Sequence, residues 1–263
     1  MGIDYDAAFE SVVQRPWTEL PQEQQDAAVL SDRQGQLAAD EPDAYALHDT
    51  LNYQRGHADV FREVYKSALH VPPAKGQRLL VVDIGAGAAT VAVAINEALG
   101  RKALRRIDYL AFDPNQMMQE LGERVLSRLD AGFRSAVYIE SLDAINFTNS
   151  DRLLFTFSYV SHQKAVSPAD IDQWANLIGQ AVGRSDHAVE LLYTTASNIH
   201  SIEPKIPMLG QRLDQAGFKR QIEAIRVRVP RRFPEPDSSD GRVQWKPSPR
   251  LWQVEAERWV LRP

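Results

Sequence analysis

Cysteine is absent from all 263 residues. That excludes a disulfide framework, a thiolate zinc site and an iron–sulfur cluster held by cysteines. No run of about 18 apolar residues occurs, so the sequence offers no membrane span. Met1, Gly2, Ile3 and Asp4 open an acidic stretch, not the basic region and apolar run of a secretory leader. The expectation is a cytoplasmic protein with no membrane partner. An excess of positive charge is missing too: 30 Lys and Arg face 35 Asp and Glu, a net −5, which gives no global attraction to nucleic acid. The charge is unevenly spread, however. Residues 1–50 hold eleven acids against Arg15 and Arg33, whereas from Gly217 onward eleven Lys and Arg face six acids. Two solvated faces, or an acidic end lying against a basic one, account for this; a basic substrate-facing surface is the alternative.

What is present is a 44% hydrophobic composition, enough for one large α/β domain with an extension. Its centre is the stretch 78–99, RLLVVDIGAGAATVAVAINEAL. Leu79 to Val82 are consecutive apolar residues, the pattern of a strand buried on both faces. Asp83 puts a carboxylate at the end of that strand. Gly85 and Gly87 follow, and from Thr90 the residues Val91, Ile95 and Leu99 recur at helical spacing. A strand, a glycine turn and a helix N-terminus make a nucleotide cradle, because small residues admit the ligand and the helix end offers unpaired N–H groups. A dinucleotide fold wants a small residue at the sixth position of G-x-G-x-x-G, where this chain has Thr90. Asp83 would also sit badly beside a pyrophosphate and suits a ligand carrying positive charge.

From Asp83 to Ala89 the chain resembles the class I S-adenosylmethionine-dependent methyltransferases, whose first motif reads apolar strand, acid, x, Gly-x-Gly-x-Gly; here Ala89 replaces the third glycine. The resemblance implies a Rossmann-like α/β three-layer sandwich. Its seven-stranded sheet would be mostly parallel with an antiparallel last strand, preceded by an N-terminal helical extension. Residues 1–73 would then be a helical lid and 74–263 the S-adenosylmethionine-binding domain. Asp83, Gly85, Ala86 and Gly87 would form the cofactor turn.

Residues 107–112 read as the second strand, ending at Asp113, with Pro114 placed for a first helical turn. By resemblance Asp113 accepts both ribose hydroxyls, a carboxylate matching a vicinal diol, and Met117 or Met118 packs on the adenine. A third strand over 135–139 leads to Glu140, Ser141, Leu142 and Asp143. By the same resemblance an acid there, Glu140 or Asp143, accepts the adenine amino group, or both are solvated turn residues. The fourth strand, 151–160, would present Phe157, Ser158 and Tyr159 to the transferred methyl group, followed by Ser161, His162 and Gln163. His162 is the candidate base, its ordinary pKa lying near neutrality, with Tyr159 beside it; a loop histidine without a role is the other reading. The Asn/Asp-Pro-Pro-Tyr signature of exocyclic-amine methylation is missing, and the absent cysteine excludes pyrimidine C5 methylation by a thiolate.

Upstream, Tyr5, Phe9, Val12 and Val13 form an amphipathic stripe that Pro16 and Pro21 should break. Residues 22–40 are helix-tolerant and closed by Glu41, Pro42 and Asp43, and 57–69 form another helix. The connector 51–57 is polar and aromatic. Tyr53 and Arg55 there can reach the cofactor carboxylate or the substrate, since arginine pairs with carboxylates through two parallel bonds; alternatively Gly56 simply breaks a helix junction. Downstream, Ser167, Pro168 and Asp170 mark a helix start, 188–194 a fifth strand, and 206–216 a helix ended by Gly217. Strands of period two follow at 219–229 and 252–261, separated by a long exposed loop, 230–249, carrying Arg231, Arg232 and Arg242.

The function these readings imply is methyl transfer from S-adenosylmethionine to an O or N nucleophile of a small molecule or protein side chain. An RNA or DNA methyltransferase, touching nucleic acid through the basic C-terminal loop, is one alternative. A catalytically inactive binding module of the same fold is another, and a nicotinamide-dependent oxidoreductase a third.

Overall fold

The computed structural model describes residues 9–34, 42–69, 73–129, 132–147, 150–158, 166–184, 189–196, 205–236 and 243–263. A π-helical turn, Glu10–Gln14, runs directly into α1 (Arg15–Glu19), and α2 (Gln22–Gln34) follows. Pro16, expected to break the first helix, instead sits in the first turn of α1 behind the widened π turn. A proline is tolerated at an early helical position because it has little intrahelical bonding to lose. Pro42, expected to close the stretch 22–40, also opens the next helix. From it α3 (Pro42–Asp49), a second π-helical turn (Thr50–Gln54) and α4 (Arg55–Ala68) form one uninterrupted helical run. There is no junction at 51–57, and Gly56 lies buried inside α4.

The remaining elements alternate. β1 (Leu79–Ile84) leads to α5 (Thr90–Ala98) and the short α6 (Arg101–Leu104), and β2 (Ile107–Phe112) to α7 (Gln116–Leu129). β3 (Ser135–Tyr138), β4 (Arg152–Ser158), α8 (Pro168–Arg184), β5 (Val189–Ala196) and α9 (Lys205–Gln215) come next. The long strands β6 (Lys219–Pro236) and β7 (Val243–Arg262) end the chain. Seven strands make one sheet in the order β3-β2-β1-β4-β5-β7-β6. β1 to β5 run parallel, β7 is antiparallel to β5, and β6 is antiparallel to β7.

The expected loop at 230–249 is overturned. β6 pairs with β7 out to Pro236 opposite Val243, across an irregularity between Pro230 and Arg232. β5 stops pairing at Ala196 opposite Val254. The last part of the hairpin is therefore a two-stranded ribbon, past its pairing with β5, that continues beyond the carboxyl end of the parallel strands.

Each sheet face has its own core. On one, Leu79, Val81, Tyr109, Leu154 and Leu192 meet Val60, Phe61, Val64 and Tyr65 of α4 and Val91 and Ile95 of α5. On the other, Leu80, Val82, Leu153, Phe155 and Leu191 meet Ile171, Trp174 and Ile178 of α8 and Leu209 and Leu213 of α9. A third cluster joins Phe9, Val12, Val13, Ala46, Leu47 and Leu51 to Val93, Met118, Leu121 and Val125. The boundary expected at 73/74 thus runs through the first core, since α4 lies on one side of it and β1 on the other. Among the described residues no helix is long and apolar enough to cross a membrane.

Candidate functional site

The backbone conformation of the turn after β1 explains its residues. Gly85 and Gly87 have φ of 73° and 54°, and Ala89, at the third small position, also lies in the left-handed region at 63°. Glycine adopts that region at no cost, whereas alanine pays a modest steric penalty for it. The N–H groups of Gly85 and Ala86 both donate to the carbonyl of Phe112 at the end of β2, 2.8 and 3.0 Å away. That lashes the turn to the neighbouring strand.

Beside the turn lies a crevice of about 500 Å³, within the size range of small-molecule sites. Its floor is Ile84, Gly85, Gly87 and Phe112. Asp113, Pro114, Asn115 and Met118 line one side, Val166, Asp170, Gln173 and Trp174 of the α8 region the other, and Tyr45 and Asp49 of α3 also reach it. It opens at the carboxyl ends of β1 and β2, where open α/β sheets bind their ligands.

Asp113 is 5% exposed. One of its carboxylate oxygens accepts the Gly87 N–H at 2.9 Å and the other the Asn115 N–H at 2.9 Å. Each oxygen keeps a lone pair for a ligand hydroxyl. Burial pushes its carboxyl above the ordinary carboxylate range, and the two N–H bonds oppose that rise. Asn115 caps α7, its side-chain oxygen accepting the N–H of Met117 at 3.0 Å and of Met118 at 3.3 Å, so Pro114 stands before the first turn and not in it. Met118 lines the crevice; Met117 lines a separate surface groove. Asp170 exchanges bonds with Ser167, accepting its N–H and hydroxyl at 2.7 Å each, which holds its carboxyl below the usual range.

Several expected residues stand elsewhere. Asp83 is fully buried on the opposite face of the sheet from the crevice. The hydroxyls of Tyr109 and Thr156 donate to its two oxygens, the latter at 2.9 Å. Burial pushes its carboxyl up to about 7; those two bonds oppose the rise and the nearby Asp113 charge adds to it. The reason is strand parity: Ile84 faces the crevice, so its neighbour Asp83 must face away. Arg55 is drawn to Glu97 on α5 at 2.5 Å, and Tyr53 stacks on His57 with ring centres 5.8 Å apart; neither lines the crevice. Ala86 contributes backbone behind the turn. Glu140 and Ser141 are exposed, Leu142 is core, and none of the three lines the crevice. Phe157 is buried behind Trp174, 5.0 Å between ring centres. Tyr159 and His162 lie outside the described residues.

Beyond the strand-end residues Ile84 and Phe112, the crevice residues that sequence reasoning missed are Tyr45, Asp49, Asn115, Val166, Asp170, Gln173 and Trp174. Tyr45 and Asp49 share one helical face by their i, i+4 spacing. That spacing was the available signal, hidden by the reading of Pro42 as a stop.

Strand order, turn and crevice together decide the architecture. The chain has the Rossmann-like three-layer fold, a mostly parallel seven-stranded sheet preceded by helices, that the resemblance implied. No protein-family model matches it, and no curated protein does. Among solved structures it is similar to precorrin-6Y C5,15-methyltransferase from Geobacter metallireducens GS-15, at 13% identity over 75% of this chain and 85% of that one, TM-score 0.45. It is similar also to a SAM-dependent O-methyltransferase from Thermotoga maritima, at 13% identity over 76% and 63%, TM-score 0.45. A third is magnesium protoporphyrin IX methyltransferase from Synechocystis PCC 6803 with bound SAM, at 14% identity over 93% and 99%, TM-score 0.45.

Proposed function

We propose that this chain transfers a methyl group from S-adenosylmethionine to an O or N nucleophile of a small molecule or protein side chain. The observation that carries the reading is Asp113, a carboxylate on the crevice wall oriented by the Gly87 and Asn115 N–H groups with acceptor capacity to spare. A vicinal diol such as a ribose suits it. The described lining of the crevice adds Asp49 and Asp170 and holds no Lys, Arg or His, an environment that favours a cationic nucleoside over a pyrophosphate. The cofactor would supply a methyl group on a sulfonium, whose neutral thioether is a good leaving group. The chain's own task is to hold the acceptor in line and exclude water. Tyr159 and His162 are the proposed partners of that acceptor.

The test is thermal and calorimetric. S-adenosylhomocysteine at about one hundred times its Kd should stabilise the fold by about 2.7 kcal/mol, raising Tm by about 5–10 °C, while NAD leaves it unmoved. Asp113→Ala should weaken binding at least tenfold, about 1.4 kcal/mol. A parent protein blind to both S-adenosylmethionine and S-adenosylhomocysteine removes the proposal.

A nucleic-acid acceptor has one observation in its favour. The ribbon carries exposed Arg228 and Arg250 beyond the carboxyl end of the sheet. Phosphate contacts there would make acceptor binding fall steeply with salt; flat salt dependence favours the small-molecule or protein acceptor.

A further inference from the structure

The glycine turn is held by side chains from three distant parts of the chain. Asp113 accepts the Gly87 N–H at 2.9 Å, Gln54 from the second π-helical turn donates to the Ala88 carbonyl, and Tyr138, the last residue of β3, donates its hydroxyl to the Gly87 carbonyl at 2.6 Å. The Tyr138 contact is made possible by a glycine in another element. Gly122 lies in the middle of α7, and a Cβ built there would stand 2.0 Å from the Tyr138 hydroxyl oxygen and 2.4 Å from Cζ. Its φ lies outside the left-handed region, so the backbone has no need of glycine at that point. A mid-helix glycine is otherwise unfavourable. The room it leaves is filled by the tyrosine.

Gly87 itself cannot fix the turn by packing. A Cβ built on it would meet nothing within 4 Å, and its φ is 54°. A glycine in open space lets the peptide that follows it rotate with little steric resistance. The Gly87–Ala88 peptide is trans and planar, so with its carbonyl drawn to Tyr138 its N–H points the opposite way. A flip would exchange acceptor and donor across the wall of the crevice.

We propose that Tyr138, admitted by the missing side chain of Gly122, is a positioning residue that holds the Gly87–Ala88 peptide in the orientation the crevice needs to bind its ligand. It touches no ligand itself. The inference rests on the proposed cofactor reading only for the identity of the probe.

Two variants and two readouts test it on the full chain. Tyr138→Phe removes one oxygen and keeps the ring; Gly122→Ala improves the helix while forcing the ring aside. Each should raise the Kd of S-adenosylhomocysteine about tenfold by calorimetry and speed amide exchange at residues 85–89 about tenfold. Exchange in β5 and β7 should stay as in the parent. Lower affinity in Gly122→Ala without loss of Tm is a signature that a merely structural role would not give. Tyr138→Phe binding within twofold of the parent, or unchanged exchange at 85–89, overturns the proposal. If the parent binds no S-adenosylhomocysteine, the cofactor reading falls, and the exchange data alone decide the role of Tyr138.

Discussion

Asp83 and Ile84 are neighbours on one strand with opposite surroundings, and the difference makes a measurable pH dependence. The Asp83 carboxyl is buried and raised to about 7, against an ordinary value near 4 in the unfolded chain. Between those values the folded state keeps a proton that the unfolded state releases. Stability therefore falls as pH rises through that window, and above about 7 an ionised carboxylate is buried at full cost. Asparagine has the same shape without the titration, and the Tyr109 and Thr156 hydroxyls can rotate to donate or accept. Asp83→Asn should thus leave Tm nearly unchanged at or below about pH 4, where both states hold the proton, and raise it by several degrees at about pH 8. Equal Tm gains at both values would mean that the carboxyl does not titrate in this range. The same variant separates structure from ligand binding: with Asp83 off the crevice, S-adenosylhomocysteine affinity should stay within about threefold of the parent. What was legible at this scale was the type of residue at each strand end. The face was not, because a motif read in one dimension says that an acid closes β1 without saying which side of the sheet that position serves.

Among the elements, the strands and helices with clear period and turn chemistry were legible: β1, β2, the helix from Thr90, the capped start of α8 and the Gly217 stop after α9 all follow from local residues. Proline misled twice, at Pro16 and along β6 and β7. In the hairpin, Pro230, Pro234 and Pro236 lie on β6, the edge strand, where a missing N–H can face outward and cost the ladder nothing. Composition alone could not announce that, since it depends on which strand ends up at the edge. The ribbon is also anchored from outside the sheet. Arg232 grips Asp59 of α4 with two guanidinium nitrogens, 2.8 and 2.5 Å from its oxygens, and Trp245 meets the edge of Phe9 at 5.4 Å between ring centres. Asp59 is 3% exposed while the Arg232 side chain is about a quarter exposed, so solvent screens part of the pair. Asp59→Ala should cost about 1–3 kcal/mol, below the figure for a fully buried pair. Amide protection should fall first at 228–232. Loss spread evenly over the sheet would show that the pair does not anchor the ribbon.

At the scale of the whole molecule, the helical N-terminal part behaves as a layer of the sandwich and not as a cover laid on it. Val60, Phe61, Val64, Tyr65 and Ala68 of α4 are each at most 4% exposed, and they pack against β1, α5 and the inner side of the hairpin at Ile225, Val229 and Val254. Burying one large apolar side chain contributes about 1.5–3 kcal/mol. The four larger ones together therefore rival the about 5–15 kcal/mol by which a whole domain is stable. A lid could be removed with the fold intact, whereas removing such a layer should unfold the chain. A chain beginning at residue 74 should show no cooperative thermal transition and should expose apolar surface that binds hydrophobic dyes. A chain beginning at residue 42 keeps α3 and α4 and loses Phe9, Val12 and Val13 from the third cluster, with Trp17 and Leu20 that pack against it. It should melt cooperatively at a lower Tm and still bind S-adenosylhomocysteine, because Tyr45, Asp49 and Gln54 are retained. Cooperative melting of the chain from residue 74 would restore the lid and return the domain boundary to 73/74. Its failure beside a folded chain from residue 42 makes α3 and α4 part of the smallest unit that can build the crevice.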